Sequence, residues 1–284
     1  MTFPDVSMPI ISTQWLADNL ASKDLILLDV SMDKVVGKEP LVYQQPCFIP
    51  NSQQLSLEHQ LINLDSDETN AFPTAKQFTQ AVAKLGIDAG SLVVVYDNQG
   101  IYSSPRAWWI FKTMGFANVF ILDGGLPQWI AEQRSTVAEP ELATSESAVT
   151  ANFHSARLAS KAQVLEAIDS PTCKIFDARS ELRFNGVGKE PRAGLRSGHI
   201  PSAINLPFGQ VLNSHQFKSK QELKAIYHNL AALDGQSLVF SCGSGITACI
   251  LIAAAAIAEL EPLALYDGSW AQWGSDSSLP IAQK

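Results

Sequence analysis

Cys242 is the residue whose type and neighbours point most directly to chemistry. It sits in "VFSCGSGITACI", Val239 to Ile250, between an apolar run and a glycine-bracketed serine. Gly243 and Gly245 let the backbone curl so that successive N–H groups converge on one point. A strand ending at Ser241 and a helix starting near Thr247 would add the unpaired N–H groups and partial positive charge of a helix N-terminus. A sulfur at the centre of the loop Cys242–Gly243–Ser244–Gly245–Ile246–Thr247 would be held as an anion, and the thiolate is the nucleophilic form of cysteine. The plainer alternative is a small buried hydrophobe. Cys249, seven residues on in an apolar stretch, reads as core, and Cys47 and Cys173 carry no motif. Tyrosine-phosphatase chemistry would need an arginine six residues after the cysteine to clamp phosphate. That position is Ala248, and the loop carries no cation.

A second cluster holds charge. Arg179, Arg183, Lys189, Arg192 and Arg196 stand against Glu181 and Glu190, five minus two, a local +3 in a chain of net charge −8. A solvated surface loop has this composition, and so does an anion-binding site, in which the planar fork of arginine pairs bidentately with carboxylate. Ser244 also has two readings: a hydroxyl satisfying loop amides, or a donor or proton relay to a bound carbonyl group. His199, in "GHIP", reads as a structural turn residue.

The elements that must position these residues are written twice. "STQWLADNL" begins at Ser12 and is followed seventeen positions later by Asp29; "SKAQVLEAI" begins at Ser160 and is followed seventeen positions later by Asp177. "FIP" answers "HIP", "LVVVYDNQG" answers "SLVFSCGSG", and "DGGLPQW" answers "DGSWAQW". Repeats in one fixed order imply a duplicated unit. The boundary falls in a Ser/Thr/Glu/Ala-rich linker at about 135–150, giving an N-terminal domain over 1–140 and a C-terminal domain over 150–284. The short apolar runs Leu25–Asp29, Leu92–Tyr96, Val119–Leu122, Ile175–Asp177, Leu238–Ser241 and Leu263–Tyr266 read as buried strands. Ser12–Leu20, Ala75–Leu85, Ser104–Met114, Ser160–Ile168, Gln221–Leu230 and Thr247–Leu260 read as helices. Alternating strands and helices define an α/β fold: in each domain a central parallel sheet flanked by helices on both faces. Sites in such sheets form beyond the carboxyl ends of the strands, where Cys242 lies.

Composition removes other classes. An acidic chain with a pI of about 5.1 lacks the basic face that nucleic-acid binding needs. Four cysteines without a CxxC pair suggest neither a zinc site nor a disulfide scaffold. Leu238 to Ala258 is 21 residues without a charge, long enough to cross a bilayer. Gly243 and Gly245 interrupt it near its start, and its flanks are acidic, so a buried strand, a turn and a buried helix are expected. The N-terminus shows no signal-peptide pattern, and a reducing cytoplasm is the expected setting.

"CGSGITA", "DARSELRFNGVGKEPRAGLRSGHIPSAINLPF" and "YSSPRAWWIFKTMGFANVFILDGGLPQW" resemble two-domain rhodanese-type sulfurtransferases, over about Ile11 to Trp273. The Cys-Gly-Ser-Gly-x-Thr loop is similar to the 3-mercaptopyruvate branch. The resemblance implies two tandem rhodanese-like domains and a Cys242 persulfide formed from 3-mercaptopyruvate with release of pyruvate. A small thiol, cyanide or a thioredoxin-like protein then takes the sulfur. It implies no metal and no cofactor, and a monomer is expected. Arg183 and Arg192 match the arginines that hold the keto-acid, and Asp97, at the cysteine position of the first repeat, leaves that domain catalytically silent. The alternatives are a thiosulfate sulfurtransferase and a sulfur-carrier or docking module without turnover. The chain departs from the branch in carrying "FIPNSQQLSLE" and then "NAFP" where a histidine and acids accompany Ser244. Glu58 and His59 are the candidates for that role.

Overall fold

A computed structural model describes residues 4–88, 90–143, 146–230, 232 and 235–283. Several helices, though not all, begin where a side chain satisfies one of the first free N–H groups. Ser12 accepts from the Trp15 N–H at the start of α1 (Thr13–Asn19). Thr74 with Gln77 forms a reciprocal capping box at α2 (Ala75–Ala83), and Ser160 with Gln163 forms another at α5 (Lys161–Ala167). Ser12 and Ser160 open the two repeats, so the duplicated motif is a helix start. The remaining longer helices are α3 (Ser104–Thr113), α7 (Lys220–Asn229) and α8 (Ala248–Ile257).

Two units emerge. The first consists of residues 1–64, 72–154 and 214–217; the second of 65–71, 155–213 and 218–284. In the first, β1 (Ile10–Ile11), β2 (Leu25–Asp29), β3 (Ser52–Gln54), β4 (Leu92–Tyr96) and β5 (Val119–Leu122) form an all-parallel sheet ordered β1-β5-β4-β2-β3. In the second, β6 (Cys173–Asp177), β7 (Ile204–Asn205), β8 (Ser237–Ser241) and β9 (Leu263–Leu265) form a parallel sheet ordered β9-β8-β6-β7. Helices flank both sheets. The registers repeat: Asp29 lies beside Tyr96, and Asp177 beside Ser241. The two strands that precede the loops of Asp97 and Cys242 are therefore both central, and both are apolar because both faces are covered.

Leu27, Val94, Tyr96, Phe120, Leu122 and Trp129 pack in the first core; Ile175, Val239, Tyr266, Trp270 and Trp273 pack in the second. Trp129 and Trp273, which end the repeated "DG…QW" motif, each bury the indole and donate its N–H to a carbonyl, of Ser135 and Pro280, both at 2.8 Å. The charge-free run from Leu238 is a strand, a loop and a ten-residue helix buried on nearly every side. Among the described residues no helix is long and apolar enough to cross a membrane. Three short helices are absent from the periodicity reading, α4 (Gly125–Ala131), α6 (Glu181–Phe184) and α9 (Ser269–Trp273). Each is under two turns long, too short for an apolar stripe to show. Helix α8 stops at Ile257, short of the expected Leu260, because Glu259 turns left-handed at φ +60°.

The units differ at the ends of the corresponding strands β2 and β6. Asp177 meets the Arg179 guanidinium at 2.6 Å. Its counterpart Asp29 meets only Ser31, whose N–H and hydroxyl donate to Oδ1 at 2.8 and 2.5 Å. Burial without a cation, partly offset by the Ser31 bonds and reinforced by Asp97, pushes Asp29 up to about 6. A raised carboxyl keeps its proton in the folded state while the unfolded chain has released its own, so stability falls as pH rises from about 4 to about 6. Asp29→Asn, which keeps the Oδ1 acceptor, is expected to remove the share of that slope due to Asp29, leaving that of Asp123, which burial also raises to about 6, and to be more stable than the parent by about 1–3 kcal/mol above pH ~6.5, with no advantage near pH ~4. Denaturant melts of the two proteins across that range measure it.

Candidate active site

Cys242 follows β8 directly and is 2% exposed. Its loop is pinned from the neighbouring strand end. Ser269, the first residue of α9, places its Oγ to accept the N–H groups of Cys242 and Gly245, each at 3.1 Å, while its hydroxyl donates to the Tyr266 carbonyl at 2.9 Å. The next two N–H groups, of Trp270 and Ala271, donate to the Cys242 and Gly243 carbonyls at 3.0 Å. Gly245 takes φ +78°, a left-handed turn that a glycine adopts without a Cβ clash. With the carbonyls tied back, the N–H groups of Ser244, Thr247 and Ala248 donate to no protein acceptor among the described residues.

The first unit shows what such amides want. Asp97 follows the central strand β4, fully buried. Its carboxylate accepts the N–H of Gln99 at 2.9 Å, and those of Tyr102, Ser103 and Ser104 at 2.9, 3.0 and 2.8 Å. The Ser104 hydroxyl adds a fifth bond at 2.7 Å. By repeat position Gln99, Tyr102 and Ser103 correspond to Ser244, Thr247 and Ala248. Three of the four amides that hold a resident carboxylate in one unit thus have counterparts in the Cys242 loop without a protein acceptor among the described residues, while the fourth, of Cys249, donates to the Ile246 carbonyl at 3.1 Å. Leu126 N–H donates to the Asp97 carbonyl at 3.1 Å, as Trp270 does to Cys242.

Cations approach from β6 and the short helix α6 (Glu181–Phe184). Arg179 is buried, with Nη2 on Asp177 at 2.6 Å and on the Gly198 carbonyl at 2.9 Å, and Nη1 on Glu190 at 3.0 Å. Its guanidinium lies over the Trp270 ring, 4.4 Å from the centroid. Burial alone would lower the Arg179 pKa; Asp177 and Glu190, with a contribution from Cys242, raise it instead. Glu190 also binds Arg183, Nη2 at 2.6 Å, and so clamps both arginines. Arg183 reaches the cysteine loop itself, since a Cβ on Gly243 would stand 3.2 Å from its Nη2. Its Nη1 has no protein acceptor among the described residues. Arg192 is half-buried and makes no hydrogen bond or ion pair among them.

The structure therefore brings Cys242, Gly243 to Thr247 and Arg183 together, and leaves Arg192 without a protein partner. The Thr247 hydroxyl makes no cap hydrogen bond to α8. His199 is structural, stacked on Phe184 at 3.7 Å with Nδ1 at 2.7 Å from the Phe184 carbonyl. Cys249 is core, its thiol donating to the Gly245 carbonyl at 3.3 Å. Glu58 accepts the Asp33 N–H at 2.9 Å and His59 is exposed; both belong to the first unit. Within the second unit Ser244 is met by Asn70, the first residue of "NAFP", whose Nδ2 donates to Ser244 Oγ at 3.0 Å. Sequence reasoning missed Asn70, Ser269 and the clamp by Glu190. The departure of "NAFP" from the family pattern was the signal for the first. Glu190 was visible only as a charge to subtract.

A model of the rhodanese-like domain matches residues 12–132 and again 160–276. The chain is 32% identical over 275 residues to the 3-mercaptopyruvate sulfurtransferase of Escherichia coli (strain K12), covering 95% of this chain and 96% of the relative. It is 33% identical over 273 residues to the thiosulfate sulfurtransferase of Rattus norvegicus, covering 93% and 91%. The crystal structure of SseA from Escherichia coli, described as a 3-mercaptopyruvate sulfotransferase of "Rhodanese" fold, matches with a TM-score of 0.81 at 29% identity, covering 93% of this chain and 99% of that one. The chain belongs to the rhodanese family of sulfurtransferases and carries two rhodanese-like domains in tandem.

Ser269 holds its place at a cost, with φ +48°. Its counterpart Gly125 also has positive φ, and a Cβ there would meet the Asp97 and Gly100 carbonyl oxygens at 2.5 Å. The side chain at 269 is retained for its oxygen. Ser269→Ala keeps the backbone strain and orphans two buried N–H groups, an expected loss of about 1–3 kcal/mol. Ser269→Gly loses the same oxygen but relaxes the backbone, and is expected to recover about 1 kcal/mol of that loss. Urea melts of the three proteins give both differences.

Proposed function

We propose that this chain moves the sulfur of 3-mercaptopyruvate through a persulfide on Cys242 to a thiol or cyanide, releasing pyruvate. The observation that carries the reading is the nest: the counterparts, in the Cys242 loop, of amides that hold a carboxylate at Asp97 have no protein acceptor among the described residues. The Cys242 thiolate attacks the substrate sulfur, and a sulfur–sulfur bond forms. The carbon–sulfur bond breaks with its electron pair going to carbon, giving the enolate of pyruvate, which takes a proton from solvent. The outer sulfur leaves on attack by a small thiol, cyanide or a thioredoxin-like protein, and Cys242 returns as thiolate. Each half-reaction makes and breaks one covalent bond at sulfur, so ping-pong kinetics follow. Amides of Gly243 to Thr247 steady the anionic sulfur in both states.

Arg183, with Arg192, takes the carboxylate of the substrate, and Ser244 faces its carbonyl. The position of the cations supports the donor. In 3-mercaptopyruvate the charge stands away from the transferred sulfur and suits arginines beside the loop; in thiosulfate it adjoins that sulfur and suits cations within the loop, which has none. The first domain is silent, because the Asp97 carboxylate fills its own nest and cannot carry sulfur. All four cysteines are free thiols, as suits a reducing cytoplasm.

Mixing the protein with each donor and cyanide, and measuring thiocyanate and pyruvate, tests the reading. Cys242→Ser is expected to lose at least ~10³-fold in turnover, as removal of a covalent nucleophile does, and to gain no sulfur by intact-mass measurement after donor treatment. Equal activity in that variant removes Cys242 from the reaction, and faster turnover of thiosulfate than of 3-mercaptopyruvate at equal concentration overturns the donor.

A further inference from the structure

The contact between Asn70 and Ser244 has a forced direction. The Asn70 side chain lies 3.0 Å from Ser244 Oγ and 3.3 Å from the Ser244 carbonyl oxygen. A carbonyl oxygen only accepts, so the Asn70 atom facing it is the NH2 group, which only donates. Ser244 Oγ therefore receives a hydrogen bond from Asn70, and its own hydrogen points elsewhere. That hydrogen has no protein acceptor among the described residues. Ser244 is half-buried, two residues from the sulfur of Cys242, in the loop against which Arg183 rests.

Asn70 is held for this contact. It adopts φ +56°, a left-handed conformation that asparagine tolerates better than most residues. Its segment, residues 65–71, belongs to the second unit. A second tie lies two residues away, where the Gln272 amide donates to Glu68, and Gln272 Oε1 in turn accepts the Tyr266 hydroxyl at 2.7 Å.

We propose that Asn70 is a positioning residue that makes Ser244 a one-way hydrogen-bond donor to the carbonyl oxygen of the substrate. Negative charge collects on that oxygen as the carbon–sulfur bond breaks and the enolate forms, so a donor already aimed there stabilises the transition state. Neither an amide nor a serine hydroxyl titrates near neutral pH, so the pair donates without relaying a proton, and the methylene carbon of the enolate is protonated from solvent. The inference rests on the sulfur-transfer reading above and deepens it.

The test compares Asn70→Gly, Ser244→Ala and the double variant with the parent. Glycine suits the left-handed backbone at position 70 and adds no charge. Two rates are measured: kcat/KM with 3-mercaptopyruvate, and alkylation of Cys242 by iodoacetamide, which builds no enolate. Asn70→Gly is expected to lower kcat/KM about tenfold, roughly the rate equivalent of one misdirected hydrogen bond. The double variant should be no slower than Ser244→Ala, and alkylation should stay within about twofold of the parent, because the loop keeps its other ties. Unchanged kcat/KM in Asn70→Gly overturns the proposal. So does an equal fall in alkylation, which would mean that Asn70 merely supports the loop. If the parent itself forms no Cys242 persulfide from 3-mercaptopyruvate, the sulfur-transfer reading falls, and this inference falls with it.

Discussion

Backbone amides at the turn from a central parallel strand into a helix must find an acceptor, and much of this molecule follows from how each repeat answers that demand. In the first repeat the acceptor is covalently built in: Asp97 gives one carboxylate to four N–H groups and a hydroxyl. In the second the residue is a cysteine, and three corresponding amides have no protein acceptor among the described residues. An N–H group without a protein partner is an open donor, and several of them in one glycine-rich loop form the kind of arrangement that an anion satisfies.

The rest of the second unit reads as support for that centre. Glu190 and Asp177 hold Arg179 in the core beneath Trp270, and Glu190 turns Arg183 toward Gly243. Pairing with Asp177 and Glu190 offsets the desolvation cost of burying the Arg179 cation. The repeats differ here. Ser31 stands where the second unit has Arg179, and Gly125 where it has Ser269. The first unit has neither the cation nor the side-chain oxygen at these positions, and shares the fold. Its Asp29 lies buried without a counter-charge, with a raised pKa as the consequence.

The segment containing Asn70 belongs by sequence to the first repeat and by packing to the second unit. It delivers to the cysteine loop a group that the loop's own stretch of chain lacks. The amide sets the direction of the hydrogen bond that Ser244 receives.

Much was legible in the linear chain. The duplication, the alternation of strands and helices, the central strands and the place of Cys242 at the end of one of them all follow from local patterns: apolar runs, serine caps and paired glycines. Those signals act over a few residues, so they survive in one dimension. The arginine-rich stretch was legible as charge, and only the family resemblance singled out Arg183 and Arg192 within it; the clamp by which Glu190 holds Arg183 and Arg179 was not legible, because its contacts span seven and eleven positions. The short helices at 125–131 and 269–273 gave no periodic signal, and the role of Ser269 depends on a loop 24 to 27 residues away. Asn70 meets Ser244 across 174 residues of chain. Local composition specified the sulfur and its cradle; only tertiary packing decided which side chains aim at them, since a hydrogen bond acts over about 3 Å of space and is indifferent to distance along the chain.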